Sequence, residues 1–546
     1  LSCSQAKAIA YQARSYLAQP PPAVDARQLA LTALDWLDPH GLWSAAPDSP
    51  VGNAFRQHAF SLLTSLLVEQ DTRGCRAAQQ VGSRLATWVD SLRNAFDQPA
   101  APSLEDPFAV ASQPIFEEGP IQAPARTLAV ELNRRSAALQ EVMGPFGGTM
   151  RRAIRDRMFP ELSADEWGGV VLAATVRAYV LLIDAHGAWA PMDEETSLYE
   201  VELEASGRRH LWGKMTRTAA GVRIDDHAVA PLASGDVVLA IDAVPTVGLS
   251  VEQVEQLGIL DPNDDQPSRR VFLYREGKGL PESLVVKPPP PPEVPSEGLS
   301  SVRLDRVAYR QGFVAVLTVL DVPDDLGMEL TSALAEARWE SEPEGVVLDL
   351  RGNGGGSIEG AKEALGPFLP GAPLFPMRRR SGNIEFDHAP VPASTDHFGG
   401  PVVVLVDPDT ASAAEMIAGA LAAYDRGVVV GMRTYGKGCA QEYLDDEAGV
   451  GVLRLSTLVY ALPDGKPVQK VGIRPHIEMD FGTKEEREDM IATAMAPWRG
   501  PDIRMASMVR SVPWPLHGGR VGPCRDEQVC KALRAVGLPG KSARAK

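Results

Sequence analysis

Apolar residues recur at intervals of three and four through the first 198 positions, as in Leu62, Leu63, Leu66 and Leu67, which predicts amphipathic helices. The most apolar stretch, Gly168 to Ile183, is interrupted by Arg177 and reads as a buried helix. Between 98 and 124 prolines and acids crowd together, predicting a loop that splits the region into two helical groups. From Tyr199 the period shortens toward two, with Tyr199, Val201 and Leu203 alternating with acids. A Ser234-Gly235-Asp236 turn then feeds an apolar strand, and Leu249 to Leu257 reads as a short helix. Pro288 to Pro292 are five consecutive prolines, the signature of a stiff extended spacer between units.

Beyond the spacer, strands at 313–320, 345–350, 401–406 and 428–430 alternate with helices at 326–340, 358–368 and 413–423. Short apolar runs between helices predict an α/β unit with a mainly parallel sheet. The expected organisation is multidomain α+β. A helical region spans 1–198, divided near 98–124, and a β-rich unit spans 199–287. A linker follows at 288–298, then an α/β core at 299–482 and a C-terminal helix with basic tail at 483–546.

Composition narrows the function. Of 546 residues, 54 are Lys or Arg and 71 are Asp or Glu, for a net charge of −17. Phosphate backbones repel such a chain, so nucleic acid is not an expected partner. An apolar content of 44% excludes disorder throughout. The last 46 positions invert the balance with nine Lys/Arg against three Asp/Glu, and read as a solvated, weakly structured end. Five cysteines are too few and scattered for a zinc site or a disulfide framework. Cys524 and Cys530 form a pair or stand as two unrelated thiols. Cys3, in Leu-Ser-Cys-Ser, is a candidate lipid anchor if a signal peptide has been trimmed, or an incidental early cysteine. Leu37-Asp38-Pro39-His40-Gly41-Leu42-Trp43 echoes Ile183-Asp184-Ala185-His186-Gly187-Ala188-Trp189, by duplication or by coincidence.

No Gly-x-Ser-x-Gly, His-Glu-x-x-His or phosphate-loop pattern is present, and the nine histidines fall at no metal-ligand spacing. No metal or cofactor is expected. Three other segments concentrate chemistry. Asp349-Leu350-Arg351-Gly352-Asn353-Gly354-Gly355-Gly356-Ser357 ends a buried strand, where glycines make either a tight turn or a cradle of N–H groups. Asp407-Pro408-Asp409-Thr410-Ala411-Ser412-Ala413-Ala414-Glu415 follows another strand and puts Ser412 at a helix mouth, as an N-cap or as a nucleophile. In Thr434-Tyr435-Gly436-Lys437-Gly438-Cys439-Ala440-Gln441, Lys437 is an exposed side chain or a general base held neutral by its surroundings.

Taken in order, these segments resemble the carboxyl-terminal processing, or tail-specific, serine proteases, over about residues 183–482. That family joins a PDZ domain to an α/β, crotonase/ClpP-like protease core. The resemblance implies Ser412 as nucleophile, Lys437 as base and Gln441 as its helper, with the N–H groups of Gly355 and Ala413 as the oxyanion hole. It implies protein or peptide substrates, cut in unfolded or flexible segments, with activity rising toward alkaline pH. It implies the bacterial cell envelope, periplasmic or secreted, with a homo-oligomer or an adaptor protein as candidate partners. Ala423 stands where some members carry an acid, and His476 stands where Asp is common. The expected carboxylate-binding loop near His210 to Gly213 lacks the PDZ glycine pattern. A catalytically latent PDZ scaffold and a crotonase-like acyl-transfer enzyme are the alternatives.

Overall fold

The computed structural model describes residues 1–38, 42–43, 49–67, 73–99, 106–114, 123–192, 194, 198, 209–260, 268–287, 300–339, 341–393, 395–482, 487–504 and 521–536. The proline spacer and the start of the β-rich unit at Tyr199 lie outside these residues.

The helical region comprises α1 (Cys3–Tyr16), α2 (Ala26–Leu37), α3 (Val51–Leu67), α4 (Arg73–Phe96), α5 (Pro107–Ser112), α6 (Ala125–Met143), α7 (Pro145–Met158) and α8 (Ala164–Ile183). A Ser163/Glu166 capping box starts α8, whose Trp167, Val171, Val176, Val180 and Ile183 are buried among α1, α2 and α4. At the crossing of α4 and α8, a Cβ on Gly82 would sit 2.5 Å from Gly168 N, so glycine permits the close approach. Among the described residues α8 alone is long and apolar enough to cross a membrane, and most of it is buried among its neighbours. The expected loop at 98–124 contains α5, which Asp106 caps and Pro107 begins. Proline is favoured in a first helical turn, and here it disguised a helix as a break. Asp38 and Asp184 both cap helix C-termini ahead of the echoed tryptophans, while positions 39–41 lie outside the described residues.

The chain leaves α8 through β1 (Ala188–Pro191), a strand within the stretch expected to be helical. A small β unit follows: β2 (Arg209–His210), β3 (Met215–Arg217), β4 (Val222–Ile224), β5 (Val237–Ile241), β6 (Val244–Pro245), α9 (Val251–Leu257), β7 (Ile259–Leu260), β8 (Arg269–Tyr274) and β9 (Glu282–Val286). It docks on the helical region through edge-on pairs Phe146–Phe272 and Phe108–Tyr274. Arg157 donates to Val247 O at 2.8 Å across the same contact.

The core carries β10 (Val302–Tyr309), β11 (Gly312–Val319), α10 (Leu326–Arg338), β12 (Gly345–Asp349), α11 (Ile358–Leu365), β13 (Pro373–Arg378), β14 (Ile384–His388), β15 (Val402–Val406), α12 (Ala413–Ala423), β16 (Gly427–Gly431), β17 (Cys439–Asp445), β18 (Gly451–Tyr460) and β19 (Ile477–Glu478). One sheet runs β10-β11-β12-β15-β16-β19, parallel from β11 onward, with α10, α11 and α12 on one face. A second, antiparallel sheet runs β1-β18-β13-β14, with β17 also on β18. Thus β1 stitches the end of the helical region into the core.

The tail also departs from expectation. α13 (Glu527–Val536) lays Val529, Leu533 and Val536 against the other face of the parallel sheet. Cys524 and Cys530 are joined by a disulfide. Cys3 is disulfide-bonded as well, which leaves its sulfur unavailable for a lipid thioether and removes the anchor reading. Among the described residues Cys439 is the free thiol.

Candidate active site

Strands β12 and β15 are parallel neighbours, so the loops leaving their C-terminal ends lie side by side. Buried hydrogen bonds lock those loops together. Thr410 Oγ1 donates to Leu350 O at 2.9 Å, Gly352 N–H to Asp407 Oδ1 at 3.0 Å, and Ala411 N–H to Asn353 O at 2.9 Å. Ser412 then enters α12 with φ +52° and ψ −120°, a conformation that glycine adopts readily and serine does not. A strained serine between a strand and a helix N-terminus is the geometry of an exposed nucleophile.

Gly355 faces it. A Cβ there would lie 2.8 Å from Ser412 Cβ and 3.0 Å from Ala413 N, and φ is +109°. The two N–H groups expected to stabilise an oxyanion thus flank the serine. In this structure the Gly355 N–H donates to Asn353 Oδ1 at 2.9 Å, while Ala413 opens α12.

Glu415 ties serine to lysine. The carboxyl group is fully buried, and its Oε2 accepts the N–H of Ser412 at 3.0 Å and of Lys437 at 2.8 Å. Oε1 accepts Gly436 N–H at 2.8 Å and the Thr434 hydroxyl. Burial pushes its pKa up to about 7, against the pull of these donors. The buried Tyr460 hydroxyl lies 2.6 Å from Lys437 O and 3.1 Å from Ser412 O, holding the same two residues from another side. Sequence reading gave Glu415 and Tyr460 no role. Glu415 does stand at the Ser-x-x-Glu spacing of a capping box, the signal that could have found it.

Behind Lys437, Gly438 N–H donates to Gln469 Oε1 at 2.7 Å, and Gln469 Nε2 to Glu488 Oε1 at 2.8 Å. His186 Nε2 lies 3.0 Å from the same carboxylate. Burial lifts the Glu488 pKa, but His186, Gln469 and the Lys437 charge together hold it below the usual carboxylate range. Gln441 sits on β17 opposite Ser456, to which its Nε2 donates at 3.0 Å. His186, Cys439 and Glu488 bring ligand-type atoms within 4.8 Å of one another. Burial pushes the Cys439 thiol up to about 12, and His186 and Glu488 are hydrogen-bonded to each other. His476 accepts Val429 N–H at 3.0 Å and is a structural residue of the sheet edge, while Ala423 ends α12.

A strained serine at a helix mouth, a glycine packed against it and a lysine whose backbone is held by the same carboxylate as the serine's are thus brought together. Residues 314–479 match Peptidase family S41. A carboxy-terminal-processing protease of Bartonella bacilliformis is 31% identical over 185 residues, 33% of this chain and 42% of its own length. A carboxyl-terminal-processing protease of Synechocystis is 29% identical over 246 residues, 45% and 55% of the two chains, and a chloroplastic C-terminal processing peptidase of Tetradesmus obliquus is 27% identical over 261 residues, 45% and 53%. The chain spans about half the length of these curated relatives. The solved photosystem II D1 C-terminal processing protease overlays with a TM-score of 0.38 at 20% identity, over 63% of this chain and 91% of its own. The similarity to Peptidase family S41 lies in the core, and the curated relatives that the chain resembles there are carboxyl-terminal processing proteases.

Proposed function

We propose that the protein is an endopeptidase that cuts unfolded or flexible protein segments. Ser412 attacks the peptide carbonyl, Lys437 takes its proton and later delivers it to the leaving amine, and Gln441 orients the lysine. Water then resolves the acyl-enzyme by the reverse path. The observation that carries this reading is the Glu415 clamp, which holds Ser412 and Lys437 on a single carboxylate oxygen. The N–H groups of Gly355 and Ala413 receive the oxyanion, with Gly355 exchanging Asn353 for the developing charge.

The 199–287 unit is read as PDZ-like. Leu211 N–H already donates to Gly258 O, Gly213 N–H to Asp226 O and Lys214 N–H to Asp226 Oδ1. With those donors engaged, strand addition is favoured over capture of a free carboxylate. Disulfides at Cys3 and Cys524–Cys530 support an oxidising compartment, such as a cell envelope or the exterior.

Digestion of an unstructured protein by wild type, Ser412→Ala and Lys437→Ala tests the site. Loss of cleavage in both folded variants is expected. Cleavage that survives both substitutions would remove Ser412 and Lys437 from the chemistry.

A further inference from the structure

The turn that leaves the helical region reaches the strand opposite Gln441. Asp184 is buried there, and its carboxylate takes three donors. Ser456 N–H reaches Oδ2 at 2.7 Å, the Ser456 hydroxyl reaches Oδ1 at 2.9 Å, and His186 N–H reaches Oδ1 at 3.1 Å. An ionised carboxylate only accepts, so the Ser456 hydroxyl spends its single proton on Asp184. The Ser456 oxygen is left as an acceptor, and it takes Gln441 Nε2 at 3.0 Å. The same amide nitrogen lies 3.5 Å from Cys439 Sγ. Both contacts of the Gln441 side chain are therefore made by its NH2 end. Its Oε1 accepts no hydrogen bond among the described residues.

We propose that Asp184, acting through Ser456, sets the direction of the Gln441 amide so that Oε1 accepts a hydrogen from the Lys437 amine. Asp184 and Ser456 are positioning residues, and the proposal rests on the reading of Lys437 as the base. The buried Cys439 thiol, 3.5 Å from the Gln441 amide nitrogen, lies within the electrostatic reach of both Lys437 and Asp184. With an amine hydrogen fixed on Gln441, the nitrogen lone pair is free to face Ser412. A segment outside the S41 match thereby orients a catalytic side chain within it.

The relay can be reversed without changing its shape. In Asp184→Asn the side-chain oxygen can keep the Ser456 N–H while the new NH2 donates to Ser456 Oγ, at the cost of the acceptor that Oδ1 gives the His186 N–H. The hydroxyl then turns toward Gln441, and the amide flips to present NH2 to the lysine. Losing a hydrogen bond to a charged group lowers kcat by about 10- to 100-fold, with KM nearly unchanged. In a Gln441→Ala background the same substitution has no further effect, because its route to the lysine is gone. Ser456→Ala, which leaves Asp184 the Ser456 N–H, carries the same cycle if Asp184→Asn does not fold. Peptide cleavage by the two single variants and the double variant, each checked by thermal unfolding, decides it. A kcat unchanged in Asp184→Asn, or losses that multiply in the Gln441→Ala background, overturns the relay alone. Cleavage surviving Ser412→Ala and Lys437→Ala, measured alongside, overturns the dyad and the relay with it.

Discussion

Ser412 and Gly355 face each other with no room to spare. A Cβ on Gly355 meets Ser412 Cβ at 2.8 Å and Ala411 O at 2.9 Å, and φ of +109° is strained for any other residue. Gly355→Ala keeps the N–H but its Cβ must push the loop away from Ser412, so kcat/KM is expected to fall by about 100-fold or more, as misplacing an oxyanion donor does. A variant that keeps wild-type kcat/KM would place the hole elsewhere. Ser412 itself holds a backbone conformation costing about 1 to 3 kcal/mol. Ser412→Gly should therefore melt above Ser412→Ala while both are inactive, and equal melting temperatures would deny the strain. At this scale the segments that carry Ser412, Lys437 and Gln441 were legible, because their glycines and helix mouth stand out along the chain. Glu415 was not. A glutamate three residues into a helix reads as an exposed cap, and nothing along the chain shows that its carboxyl group is sealed among four donors.

At the scale of elements, α12 acts through Glu415. Its pKa of about 7 is raised above the ordinary value, so the native state holds the proton more tightly than the unfolded chain. Its contribution to stability is therefore lost as pH rises from about 4.5 toward about 7, by roughly 3 kcal/mol at about 1.4 per pH unit. The ionised form is also the one that grips both Ser412 and Lys437. Activity should accordingly rise through pH near 7 while unfolding becomes easier. Glu415→Gln should lose both trends, and denaturant titrations at several pH values check this; an unaltered stability slope would assign it to another group. The parallel strands and α10, α11 and α12 were readable from the alternation of short apolar runs with helices. The antiparallel sheet was not. One face of β18 packs on the helical region through Leu453 and Leu455, so the strand is buried almost throughout and shows no period of two. β14 is exposed throughout and offered no hydrophobic signal.

Across the whole molecule, the helical region is wedged against both other units, and its exit segment brings β1, Asp184 and His186 against the strand and loop that follow Lys437. The far face of the core is closed by α13, where Arg351 pairs with buried Asp349 and with Asp526, and stacks on Phe481. Along the tail the basic charge balance masks the helical spacing of Val529, Leu533 and Val536, which is what docks α13. Removing the Cys524–Cys530 crosslink, which closes a short loop, should cost roughly 2 kcal/mol. Thermal unfolding of Cys524→Ser/Cys530→Ser reads that loss, and an unchanged melting temperature would mean that α13 docks without it. The most direct test of the chemistry is intact-mass measurement after exposure to a serine-directed fluorophosphonate. One adduct on Ser412, forming quickly in wild type and very slowly in Lys437→Ala, is the predicted result. An adduct that forms at the same rate without Lys437, or on a different residue, would contradict the Ser412–Lys437 site.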